Sequence, residues 1–148
     1  MADKNILLVG SRKGLMVYQR AKGSQEWKHT DTHFLGIPVS LAAIDAHTGY
    51  WWAMLDHGHW GCKLHRSADG KVWEELEAPK YPEGEEVKDG VPATTRYLWA
   101  FSPGAKSEPG TIYIGTEPGG LFKSTNNGDS FELVRALWDH PSRKDQWF

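Results

Sequence analysis

With 148 residues and a mass of 16.7 kDa, the chain is long enough for one domain with a real core and short for two. Seventeen Lys plus Arg against nineteen Asp plus Glu leave a formal net charge of −2, which excludes the basic character of a nucleic-acid or anionic-lipid binder. A single cysteine, Cys62, rules out an intrachain disulfide and a paired-cysteine zinc site, and eight Trp, sixteen Gly and eight Pro mark an ordered, turn-rich protein.

The chain opens with Met1 to Asn5 and passes directly into the apolar run Ile6 to Val9, too brief for a signal segment or a membrane span. A cytoplasmic location and no membrane partner are the expectation. Asn5-Ile-Leu-Leu-Val-Gly10 followed by Gly14-Leu-Met-Val-Tyr18 reads as a hairpin, two β-prone runs around a Gly-containing turn. The same plan returns in Tyr50 to Leu55 with Cys62 to Ser67, and in Thr111 to Gly115 with Gly120 to Ser124. Each hairpin leads through a polar turn (Lys22-Gly23, Asp69-Gly70, Asn126-Asn127-Gly128) to an aromatic residue, Trp27, Trp73 or Phe131, where a third strand fits.

Two further apolar runs, Val39 to Ile44 and Arg96 to Phe101, precede the second and third hairpins, each closed by a turn signal. They make those units four-stranded, while the first lacks the corresponding innermost strand. The stretch Pro79 to Pro92 reads as an inserted surface loop, and 3.6-residue periodicity is weak throughout. Four-stranded antiparallel units repeating at about 45 residues are the building blocks of a β-propeller. The expected fold is therefore all-β, an incomplete β-propeller of just under three blades. Roughly, blade 1 covers 5–32, blade 2 38–78, blade 3 95–135, with a tail at 136–148. Repeat units of this kind do not bury their faces alone, so further blades or a homo-oligomer are expected to complete the ring.

Ser124-Thr-Asn-Asn-Gly-Asp-Ser-Phe131 resembles the Asp-box, Ser-x-Asp-x-Gly-x-Ser/Thr-Trp/Phe, with Asn126 in the Asp position. Ser67-Ala-Asp-Gly-Lys-Val-Trp73 resembles it with one residue missing after Gly70. With Leu8-Val-Gly-Ser-Arg-Lys-Gly-Leu15, Asp56 to Gly61, Pro118 to Ser124 and Leu137 to Arg143, the whole chain is similar to the start of bacterial WD40/YVTN/BNR-like repeat proteins, often labelled sialidase-like or glycosyl-hydrolase-like. The resemblance implies a structural role for Ser67, Asp69, Gly70, Trp73, Ser124, Asn126, Gly128 and Phe131. Oxygens of the box accept backbone N–H bonds, Gly supplies positive φ, and the closing aromatic packs between blades.

Strand alternation sends the hairpin tips and blade-connecting loops to the end opposite the box turns. That end collects Arg12, Lys13, His33, Phe34, Asp56, His57, His59, Trp60, the Pro79 to Pro92 loop, Glu117, Trp138, Asp139, His140 and Arg143. Arg12, Lys13, His57, His59, Trp60, Glu117, His140 and Arg143 are the candidate ligand contacts for a glycan, small molecule or protein; the plain alternative is solvated tips. Asp56 and Glu117, at matching places in successive blades, are the candidate carboxylates of a glycoside hydrolase, with Arg12 as substrate anchor. The sialidase pattern that the resemblance implies needs an Arg where Phe34-Leu-Gly-Ile-Pro38 carries Gly36, so a triad member is missing. His57 and His59, with Cys62 or His65, are the candidate metal ligands, but their spacing follows no established motif, and no metal or cofactor is expected. Arg66, Arg96 and Arg135 are candidates for salt bridges between blades, and Trp51, Trp52, Trp73 and Trp99 for core between blades. The favoured reading is a non-catalytic binding module; the alternative is a divergent sialidase-like hydrolase.

Overall fold

The computed structural model describes residues 4–143. Where chain length argues for one domain, the chain divides into two compact units, Met1–Leu76 and Glu77–Phe148.

In the first unit, β1 (Ile6–Ser11), β2 (Gly14–Gln19) and β3 (Lys28–His33) form an antiparallel sheet in that order. A second antiparallel sheet orders β4 (Val39–Ile44), β5 (Trp51–Asp56), β6 (Cys62–Ser67) and β7 (Glu74–Leu76). Strand β5 is buried from Trp51 to Leu55 on both faces, the pattern of a strand covered above and below. Leu15, Val39, Ala53 and Leu55 form a core between the two sheets, with Leu8, Phe34, Ile37, Ala42 and Trp73 packed around it. Gly10 is required there because a Cβ would stand 2.9 Å from the Val39 carbonyl oxygen, so only glycine lets β1 approach β4 so closely.

In the second unit, β8 (Glu86–Lys88) and β9 (Val91–Pro92) make a small hairpin. A four-stranded antiparallel sheet follows, ordering β10 (Tyr97–Pro103), β11 (Ile112–Glu117), β12 (Gly120–Ser124) and β13 (Glu132–Leu133), and the short helix α1 (Arg135–Trp138) comes after it. Leu98, Ile112, Ile114 and Phe122 are fully buried. The alternation of Ile112 and Ile114 along β11 is the period-two pattern expected of a strand.

The turns leading into β7 and β13 are built by local hydrogen bonds. The Ser67 hydroxyl donates to Asp69 Oδ1 (3.1 Å) and accepts the Gly70 N–H (2.9 Å), while Asp69 Oδ1 accepts the N–H groups of Lys71 (2.8 Å) and Val72 (3.0 Å). In the third repeat the Ser124 hydroxyl donates to Asn126 Oδ1 (2.8 Å) and accepts the Gly128 N–H (2.9 Å). Asn126 Oδ1 accepts the Ser130 N–H at 3.1 Å. Ser67 and Ser124 are both buried, and Gly70 and Gly128 have φ of 72° and 86°.

Three elements differ from the sequence expectation. Pro79 to Pro92 is not a bare surface loop: it carries β8 and β9, Pro79 is fully buried, and Tyr81 packs its ring on Phe122. Trp99 is 68% exposed rather than core: it alternates with buried Leu98 and stands at the bulge where the β10–β11 register shifts between Leu98 and Ala100. The tail is anchored by buried Trp138 and Arg143 up to the last described residue. Among the described residues no helix is long and apolar enough to cross a membrane.

Candidate functional site

The candidate residues fall into two clusters, one in each unit. In the first unit the tip between β1 and β2 meets the β3–β4 connection, where the Gly36 N–H donates to the Lys13 carbonyl at 3.0 Å. The Asp56 N–H donates to the Pro38 carbonyl at 2.9 Å, which brings the start of the β5–β6 tip to the same connection. Arg12 and Lys13 are exposed at their turn. Gly58–Trp60 forms one 3₁₀ turn that displays His59 and Trp60, their rings 4.9 Å apart, with Trp60 68% exposed. Asp56 Oδ1 accepts the Gly58 N–H at 3.4 Å, a weak turn contact. Gly36 has φ of 82° and open space around its Cβ position.

His65 lies near enough to His57 to feel its charge, but among the described residues the two join no metal-binding group. His65 lies in β6 with its ring 4.8 Å from Phe34, and Phe34 in turn packs on Trp73 at 5.2 Å. His65 Nε2 is 3.8 Å from a Glu75 carboxylate oxygen, and the other oxygen accepts from Lys63 at 2.7 Å. Burial holds the His65 pKa below the ordinary imidazole value, against the raising effect of Glu75. The Lys63 hydrogen bond holds the Glu75 carboxyl below its usual range. Cys62 is half-buried, and burial pushes its thiol pKa up. Among the described residues no group of three or more His, Cys, Asp or Glu side chains could hold a metal ion. Arg66 pairs with Glu74 at 2.9 Å inside one sheet, across the β6–β7 register, rather than between blades.

In the second unit a cavity of about 190 Å³ is lined by Val87, Val91, Pro92, Thr94, Arg96, Glu117 and Pro118. The Arg96 N–H donates to the Glu117 carbonyl at 2.8 Å, which places the two residues side by side where β10 begins and β11 ends. Both side chains are exposed, and among the described residues neither has an ion pair or a side-chain hydrogen bond. Pro118, joined to Glu117 by a cis peptide bond, and Val87, Val91 and Pro92 supply the apolar lining. Behind Pro118, the Tyr81 hydroxyl bonds to the Pro118 carbonyl (2.7 Å) and to Thr116 Oγ1 (2.8 Å). Burial raises the Tyr81 pKa, so the phenol stays a donor at neutral pH.

Asp56 and Glu117 stand in different units, each as the last residue of the second strand of a four-stranded sheet. His140 is exposed and bonded to the Ser142 hydroxyl at 2.7 Å. Arg143, expected among the ligand contacts, is 5% exposed, and its guanidinium is committed to the carbonyls of Trp138, Glu86 and Val87. It is a structural residue in this arrangement. Sequence reasoning missed Thr94, held Val87 and Val91 only as unnamed members of the Pro79 to Pro92 loop on the candidate face, and placed Arg96 in a salt bridge between blades. Only the atypical spacing between the second and third repeats flagged the segment that builds the cavity.

These sheets define the class as all-β, an incomplete β-propeller of antiparallel blades with one three-stranded and two four-stranded sheets among the described residues. No family model matches the chain, and no curated protein matches it. Among solved structures it is similar to the β-propeller YCF48 bound to D1 peptide, with a TM-score of 0.54 and 15% identity over 88% of this chain. The chain spans 38% of the length of that protein. At such identity the likeness establishes the fold.

Proposed function

We propose that the protein is a non-catalytic propeller module that binds an extended segment of a partner protein at the cavity between Arg96 and Glu117. The observation that carries this is the second-unit cavity itself: an apolar lining from Val87, Val91, Pro92 and Pro118 beside a cation and a carboxylate that lack partners among the described residues. An apolar pocket with a few polar groups at its rim suits a peptide side chain flanked by main-chain donors and acceptors. The volume of about 190 Å³ is small beside the several hundred of a typical drug-sized ligand site, which favours one anchoring side chain over a whole sugar chain. The solved propeller of similar fold holds a peptide, which agrees with this reading. The Ser67 and Ser124 turns would then be structural Asp-boxes of a BNR-type repeat, and the hydrophobic β5 and β11 sheets would stack with further blades or a second copy.

Selection of a displayed peptide library against the protein, followed by titration of the enriched sequence, tests the proposal. Arg96→Ala and Glu117→Gln should each weaken the selected peptide by about tenfold, the scale of one lost charge-assisted contact. A library that yields no saturable binder refutes the module. A fluorogenic glycoside turned over by the wild type and lost in Asp56→Asn or Glu117→Gln would establish the hydrolase instead.

A further inference from the structure

One wall of the cavity is the β8–β9 hairpin, whose strands have three and two residues. Pairing so short does not hold itself in water, so the wall needs outside support. That support comes from the residues after β13. The Val134 N–H donates to the Leu121 carbonyl at 2.8 Å, rooting this segment on β12. Four residues later the Trp138 indole N–H donates to Glu85 at 2.5 Å, and Arg135 pairs with the other Glu85 oxygen at 2.5 Å. Burial of Glu85 opposes ionisation, but these two donors outweigh it and hold its pKa below the usual range.

Arg143 then closes the arrangement. Its Nε donates to the Trp138 carbonyl at 2.5 Å, and Nη1 donates to the carbonyls of Val87 (2.8 Å) and Glu86 (3.3 Å). The guanidinium lies over the Trp138 ring at 3.7 Å, and Trp138 packs on Tyr81 at 4.8 Å. Val87 is the shared residue: its carbonyl is held by Arg143 and it lines the cavity.

We infer that residues 134–143 are a clasp that builds the binding pocket, with Arg143 as its positioning residue; this deepens the reading of the cavity as a peptide site and rests on it. Arg143 touches no ligand in this scheme. It fixes the hairpin by bonding two successive backbone carbonyls while stacking on an indole, a combination that the point charge of Lys does not reproduce. Because pocket and clasp share Val87, a peptide that fits the formed pocket also favours the closed clasp, and the two effects are equal in size by linkage.

Hydrogen exchange on the full chain, read by mass spectrometry, tests the clasp without any ligand. In Arg143→Ala, amides of residues 85–93 should exchange about tenfold faster or more, while the paired amides of β11 and β12 keep their protection. Arg143→Lys should fall between the two. Should Arg143→Ala loosen β11 and β12 as well, Glu85→Gln, which keeps the side-chain size, decides the matter. Release of 85–93 alone in that variant supports the clasp; unchanged exchange across 85–93 overturns it. The selected peptide is then titrated into Arg143→Ala, where about tenfold weaker binding is expected. Failure to select any peptide refutes the binding role, and the exchange result still rules on the clasp.

Discussion

Replacing Gly70 by Ala isolates the contribution of one close approach. Gly70 sits at φ 72° in the Ser67 turn, and an ideal Cβ there would lie 2.9 Å from three ring atoms of Trp51. Trp51 is buried in β5, where a shift of its ring would disturb a strand packed on both faces. Gly23 occupies the matching turn of the first sheet at φ 84°, yet nothing lies within 4 Å of its Cβ position. Both substitutions force Ala into the left-handed region, at about 1–2 kcal/mol each. Only Gly70→Ala adds overpacking, about 1–3 kcal/mol more. The expected losses are therefore about 1–2 kcal/mol for Gly23→Ala and about 2–5 kcal/mol for Gly70→Ala. Both positions lie in the same compact unit, so one urea transition followed by tryptophan fluorescence reports on both. Equal shifts in midpoint would refute the reasoning, since the shared backbone term would then account for everything.

Removing the turn hydroxyls should be destabilising in both repeats: Ser67→Ala and Ser124→Ala each leave a buried glycine N–H without its acceptor, and urea unfolding should show a loss of about 1–3 kcal/mol for either. Tyr81→Phe removes the phenol bonds to Thr116 and Pro118 but leaves Thr116 bonded to the Pro118 carbonyl, so a loss of about 1 kcal/mol in thermal unfolding is expected. His65 gives a pH signature whose sign follows from its depressed pKa. The unfolded chain protonates first, so stability is complete above about pH 7 and declines as pH falls through the ordinary imidazole value toward the lower folded one. The slope of unfolding free energy against pH between about 7 and 5 should flatten in His65→Gln, and an unchanged slope would assign the acid sensitivity elsewhere.

What could be read from the chain, and what could not, divides along the range of the interactions. The hairpin of β11 and β12 is encoded within a few residues: Ile112 and Ile114 alternate inward, and Ser124, Asn126 and Gly128 close the following turn on themselves. Such features are legible because donor and acceptor are neighbours in sequence. Trp99 carries the same strand-forming chemistry as Trp52, yet it stands exposed at the one-residue register shift against β11 while Trp52 is fully buried. No local pattern announces that shift, because it belongs to the pairing of two strands. Arg143 shows the same limit at longer range. A basic residue in a Pro- and His-containing tail reads as a solvated ligand contact, whereas its acceptors at Glu86 and Val87 lie more than fifty residues away along the chain. The cavity inherits this dependence, since Val87 and Val91 line it from a segment whose spacing reads as an insertion and whose place is set by the clasp. The blade, then, is a local property of each repeat. The candidate site is a property of the contacts that an irregular insertion and a short tail make with each other, and it is there that mutation should separate binding from folding.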